Sequence, residues 1–177
     1  LQGKGPIDEV DLTVRQAGWM LWLGGLSKTP AEGEALARGR LRDGSAWELF
    51  LMNVEFQGGD TQVLLHPERG PCASFVKSVG ASSGGFVRRI DAYKTGVASV
   101  ILGAGRSRKE DQVLPGVGIT LSRSQGDRVE PGDELCLVHG EDETKTAEAC
   151  RLMETAFTLS DEKTLPGPRL LEEITSA

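Results

Sequence analysis

The sequence predicts an α+β protein, an N-terminal helical segment followed by a C-terminal β/α domain with one flanking helix. Three observations carry this. Apolar residues recur every three or four positions through the first part of the chain, as on the buried stripe of a helix. After Gly85 the period drops to two, as on a strand. Glycine supplies 23 of the 177 residues, nearly twice the usual share of about 7%, and much of it lies between Gly80 and Gly140, where tight turns would join short strands.

Each element has its own signal. Val10, Val14, Ala17 and Leu21 form one stripe, so a helix is expected from Glu9 to Leu23, stopped by Gly24-Gly25. Thr29-Pro30-Ala31-Glu32 is a capping box with proline at the first helical position, opening a helix from Pro30 to Arg42 that Gly44 ends. Ser45-Ala46-Trp47-Glu48 repeats the box before a third helix to Gln57, with Leu49, Met52, Val54 and Phe56 as its apolar residues. Three short helices in a row need something to pack against. Residues 60–83 have little periodicity and read as a linker with one helical turn around Ala73 to Val79, and Ala81 to Gly85 reads as a hinge. Strands are expected at Phe86–Ile90, Val97–Leu102, Gly118–Leu121 and Glu134–Val138, the last poorly alternating and so buried on both faces. A helix from Thr144 to Leu159 closes the domain, its buried side formed by Ala149, Leu152, Met153, Ala156 and Phe157. A tail follows, whose segment Leu170 to Ile174 is expected to pack back.

Composition narrows the function. A net charge of −6 argues against a nucleic-acid partner, which would need a basic face. No apolar run approaches the roughly 20 residues of a membrane span. Cys72, Cys136 and Cys150 are odd in number and unpaired in spacing, which reads as reduced thiols in a cytoplasmic protein, with Cys136 a small buried hydrophobe. Leu1 in place of an initiator methionine reads as a cut or cloned fragment.

Few residues invite chemistry. Gly103-Ala104-Gly105 followed by Arg106, Ser107, Arg108 and Lys109 would present backbone N–H groups and three cations to a phosphate, or form a structural or lid loop, the favoured reading. A dinucleotide fingerprint would need glycine where Arg108 stands. His66 and His139 are the only histidines and have neither a nucleophile partner nor a second ligand pair, so no catalytic residue and no metal site is assigned. Asp91 reads as a turn cap, and Ser82-Ser83 as part of the hinge.

Gly85 to Ile90 with Asp91-Ala92, then Leu102-Gly103-Ala104-Gly105-Arg106 with Lys109-Glu110-Asp111, then Val117-Gly118, Gly126-Asp127 and Val129 to Val138 stand in one order. So arranged, they resemble the C-terminal domain of the pyrimidine nucleoside phosphorylases, thymidine phosphorylase above all. Leu1 to Pro6, Phe50 to Met52 and Gln57 to Asp60 extend the resemblance to nearly the whole chain. Val129-Glu130-Pro131-Gly132-Asp133 is also similar to a turn of biotinyl- and lipoyl-carrier domains. His139 to Lys145, however, reads as an acidic helix start and not as the hairpin of a carrier lysine.

The resemblance implies a hammerhead, sandwich-like β/α domain over residues 80–177, related to the lipoyl and biotinyl folds, preceded by helices of a central α/β domain and a linker over 1–79. It implies a homodimeric parent enzyme that cleaves thymidine with phosphate to thymine and 2-deoxyribose 1-phosphate. Phosphate is then a co-substrate and no cofactor is needed. The residues that bind base and phosphate belong to the family's N-terminal part, so this stretch alone is expected to be inactive scaffold. The rest of the phosphorylase chain is its partner, and Gly103, Gly105, Arg106, Ser107 and Arg108 form a substrate-closure loop. A free-standing interaction module, marked by an exposed patch at Trp19, Trp22 and Trp47, and a carrier-like domain are the alternatives. Preference for uridine along with thymidine stays open.

Overall fold

The structure, a computed structural model, describes the whole chain apart from Ser107, Thr164, Pro166, Pro168, Arg169, Leu171, Thr175, Ser176 and Ala177. It is a mixed helix-and-sheet protein with two compact units, Leu1–Arg69 together with Pro168–Ala177, and Gly70–Gly167. Among the described residues no helix is long and apolar enough to cross a membrane.

The first unit is helical: α1 (Ile7–Leu23), α2 (Pro30–Arg42), α3 (Ser45–Phe56) and the single turn α4 (Thr61–Leu65), then a 3₁₀ turn at Pro67–Arg69. The first two helices stand where the periodicity puts them. At the start of α2 the Thr29 hydroxyl accepts from Glu32 N–H at 3.2 Å. The Glu32 carboxylate reaches back to Lys28 N–H at 2.8 Å, so the capping box forms one residue wider than its usual span. The second box does not form. Ser45 is already the first helical residue, and Asp43 holds it instead, accepting from its N–H at 2.9 Å and its hydroxyl at 2.6 Å across Gly44, whose φ is +78°. The Asp43 carboxylate thus occupies the Ser45 N–H that the glutamate of a capping box would accept from.

This unit buries little. Val14 is its one buried hydrophobic among the described residues, whereas Ile7, Met20, Leu23, Leu49, Met52 and Phe56 are exposed, Phe56 to 93%. The apolar surface therefore lies on these residues more than on the three tryptophans, of which Trp19 and Trp47 are half-buried. Trp19 stands edge-on to Trp22, ring centres 5.2 Å apart.

The second unit begins with β1 (Phe75–Gly80) and β2 (Gly85–Ile90), followed by α5 (Ala92–Leu102). Then come β3 (Gly118–Leu121), β4 (Arg128–Val129), β5 (Glu134–Gly140), α6 (Glu143–Glu154) and β6 (Phe157–Ser160). The strands form two antiparallel three-stranded sheets, β1-β5-β3 and β4-β2-β6. Val79, Val87, Ala98, Leu102, Val129, Cys136, Val138, Ala149, Met153 and Phe157 share one core between the sheets and the two helices. β5 has no exposed residue, but it is fully buried on one face only: Leu135, Cys136, Val138 and Gly140 are buried, and Glu134, Leu137 and His139 are half-buried.

Four expectations change here. The run Val97–Leu102 is the second half of a helix, not a strand. Asp91 caps it by accepting from Lys94 N–H at 3.1 Å, and the Thr95 and Ser99 hydroxyls bond the carbonyls four residues back. A short apolar run does not separate a buried strand from a buried helix, and here the cap decides. The turn expected around Ala73 to Val79 is β1, whose burial alternates from Phe75 to Val79 against the partner β5. The last helix stops at Glu154, and Phe157–Ser160 pairs with β2, Phe157 opposite Ile90. The stretch Ala81 to Gly85 is no hinge at its root. Ala81 N–H donates to Asp133 O, and Gly132 N–H donates to Ala81 O, both at 2.8 Å. The carrier-like turn at Gly132 is present but joins β4 and β5, which lie in different sheets.

Candidate functional site

The glycine-rich loop leaves the C-terminus of α5. Gly103 takes the left-handed conformation, φ +97°, that residues with a side chain avoid. Its N–H donates to Val100 O at 3.0 Å and Ala104 N–H to Ser99 O at 2.9 Å, a Schellman closure that satisfies the last carbonyls of the helix. The far end of the loop returns to the same residue, Leu114 N–H donating to Gly103 O at 2.9 Å. Within the loop Arg108 and Asp111 close a turn. Asp111 N–H donates to Arg108 O at 3.1 Å, and Arg108 N–H donates to the Asp111 carboxylate at 2.8 Å. Both roots are thus fixed, and the excursion between them carries exposed Arg106, Arg108 and Lys109. Ser107 lies outside the described residues.

A cleft of about 490 Å³ opens beside the loop, walled by Gly103, Gly105, Asp111 and Leu114 on one side and by Lys145 and Glu148 of α6 on the other. The three predicted cations do not line it. Leu114 and the two α6 residues were missed by sequence reasoning, because only the pairing of helix ends in space brings residues 103–114 and 145–148 together. Asp142 caps α6 by accepting from Lys145 N–H at 2.8 Å, so this helix end already has an anion of its own.

The other candidates resolve as structure. Asp91 caps α5 and lies 3.5 Å from Arg89. The Lys94 N–H bond above all, with Arg89 assisting, holds its carboxyl below the ordinary range. His139 lies in β5 opposite Gly118, its Nε2 3.1 Å from the Thr120 hydroxyl. His66 ends α4 exposed, 3.4 Å from Glu68. Cys136 is buried, and burial pushes its thiol up to about 11; burial raises Cys150 as well. All three cysteines are free. Among the described residues no cluster of three or more His, Cys, Asp or Glu side chains is placed to hold a metal.

Comparison with known proteins supplies what the geometry does not. The family model described as "Pyrimidine nucleoside phosphorylase C-terminal domain" matches residues 86–160, a span from β2 to β6 that includes the whole loop. The pyrimidine-nucleoside phosphorylases of Staphylococcus aureus strains USA300 and COL are each 34% identical to this chain over 174 residues, 98% of its length. The chain spans 40% of the length of these relatives.

Proposed function

Because this chain belongs to the pyrimidine nucleoside phosphorylase family, as a C-terminal portion of it, we propose that it serves a phosphorylase that splits thymidine with phosphate into thymine and 2-deoxyribose 1-phosphate. On this reading it contributes scaffold and a closure loop, and the groups that bind base and phosphate come from the remainder of a longer, homodimeric enzyme working in the cytoplasm. The observation that carries the role is the double-rooted loop: Leu114 and the Schellman closure meet at Gly103, and Arg106 and Arg108 ride on the excursion. Such a loop has fixed roots and exposes Arg106, Arg108 and Lys109, which suits a part that meets an anionic substrate, excludes water and orients reactants on closure.

The exposed apolar residues of α1 and α3 support the same reading, since helices with one buried hydrophobic among them need a further surface. Two three-stranded sheets around one core, joined by the Gly132 turn, support a sandwich-like relationship of residues 70–167 to the lipoyl and biotinyl domains.

The test has two stages. This chain alone is expected to release no thymine from thymidine and phosphate. Exchanged for the matching stretch of a Staphylococcus aureus relative, it is expected to support turnover. In that protein, replacing Arg106 and Arg108 together by Ala should lower kcat/KM for phosphate by about tenfold or more. Unchanged turnover and unchanged phosphate KM in the double variant would remove the closure role.

A further inference from the structure

Near the end of the described residues a carboxylate oxygen binds the first helix. Glu173 Oε1 accepts from Arg15 Nε and from Trp19 Nε1, each at 2.9 Å. These donors stand four residues apart, hence on one face of α1. One oxygen thus takes a cation and an indole N–H together, an arrangement a carboxylate fits better than a neutral amide. The Arg15 hydrogen bond first, and Trp19 second, hold the Glu173 carboxyl below its ordinary range. The helical unit is written in two pieces, with Gly70–Gly167 between them. The chain leaves it after Arg69, and Glu173 again belongs to it.

We propose that Glu173 fastens the C-terminal segment to α1 as a strap, so that the strand unit is tethered at both of its ends while the strap is docked and at one end when it is released. Release leaves both units folded. Among the described residues the buried core of the strand unit runs no further than Phe157, with Leu159 packed against it, and Val14, one residue before Arg15, faces a different way on α1. Arg15 and Trp19 then form a vacated carboxylate receptor on an exposed helix face. Trp19 sits against Trp22, so undocking also changes the surroundings of an indole pair.

Limited trypsin digestion of the full chain tests this at Lys163, an exposed residue between the last strand and the strap. Glu173→Ala is expected to speed cleavage there by about fivefold and to shift tryptophan emission, with cleavage inside residues 1–69 unchanged. Arg15→Ala should do the same apart from the trypsin site it removes at residue 15, and the double variant no more than either single one. Equal rates at Lys163 with unchanged emission would overturn the strap. So would faster cleavage throughout residues 1–69 in Glu173→Ala, because Glu173 would then belong to the fold of the helical unit itself.

Discussion

Gly18 and Gly33 meet backbone to backbone where α1 crosses α2: a Cβ on Gly33 would stand 2.9 Å from Gly18 Cα, and one on Gly18 would stand 2.7 Å from Pro30 O. Both glycines are buried. Neither approach leaves room for a methyl group, and what it would strike is backbone that moves only if the helices part.

Gly33→Ala is therefore expected to destabilise the helical unit. Alanine gains about 1 kcal/mol of helix propensity over glycine, but overpacking costs about 1–3 kcal/mol, and the backbone contact puts this site at the upper end. Urea unfolding followed by tryptophan emission reads it, since Trp19 and Trp22 lie on α1. A variant as stable as the parent would mean that the crossing yields at no cost.

Gly103→Ala and Gly105→Ala should separate. At Gly103 the left-handed backbone costs a side chain about 1–2 kcal/mol, and the new Cβ would also press on Leu114 at 3.1 Å. At Gly105 the obstacle is the Val100 Cγ2 methyl at 2.9 Å, but the backbone is not left-handed, so that contact stands without a conformational cost. Thermal unfolding should show a lower midpoint for the Gly103 variant and a smaller change for the Gly105 variant.

The thiols should react in order of exposure. Exposed Cys72 is expected to react first with a thiol reagent at pH 8, half-buried Cys150 more slowly, and Cys136 only on unfolding. The folded state favours the neutral Cys136 thiol, whose value is raised from 9.0 to about 11. That stabilisation is complete below the unfolded value and is lost as pH rises through about 11, about 2–3 kcal/mol in all. Cys136→Ala should flatten the alkaline limb of a stability–pH curve, and an unchanged limb would show that another group causes it.

Acid acts on Asp91 in the opposite sense. Its carboxyl is held low in the folded chain, so the cap contributes above the ordinary carboxylate range and fades as pH falls through the folded value. Asp91→Ala should lower the melting midpoint at pH 7 and narrow its difference from the parent at pH 3. Asp91→Asn, which accepts the hydrogen bond without a charge, should fall between Asp91→Ala and the parent at pH 7 and come closest to the parent at pH 3. A gap that persists at pH 3 would mean that the carboxylate charge is not what α5 needs.

Local chemistry was legible in the sequence, and long-range choice was not. Thr29-Pro30 fixed the start of α2, Asp91 was recognisable as a cap, and Gly118–Leu121 and Cys136 are where pattern alone put them. Val97–Leu102 misled because an apolar run satisfies either period, and Phe157–Ser160 because its partner, β2, lies some seventy residues upstream. For the candidate loop, the glycines were read from spacing. The return of Leu114 to Gly103 had no signal, since it rests on a backbone bond that any residue type could make.

The order of strands also has a consequence in time. Within the two described sheets no strand is bonded to its neighbour in sequence: β1 waits for β5, and β2 for β4 and then β6. Hairpins close in about 1–10 μs, but this unit has none with which to begin. Completing its first sheet needs Phe75 to find Gly140, and completing its second needs Phe86 to find Ser160. During synthesis the earlier strands must stay open until the later ones are made. The unit is thus committed to a slow, late and nearly simultaneous assembly, in which α5 and α6 are the parts able to form ahead of the sheets.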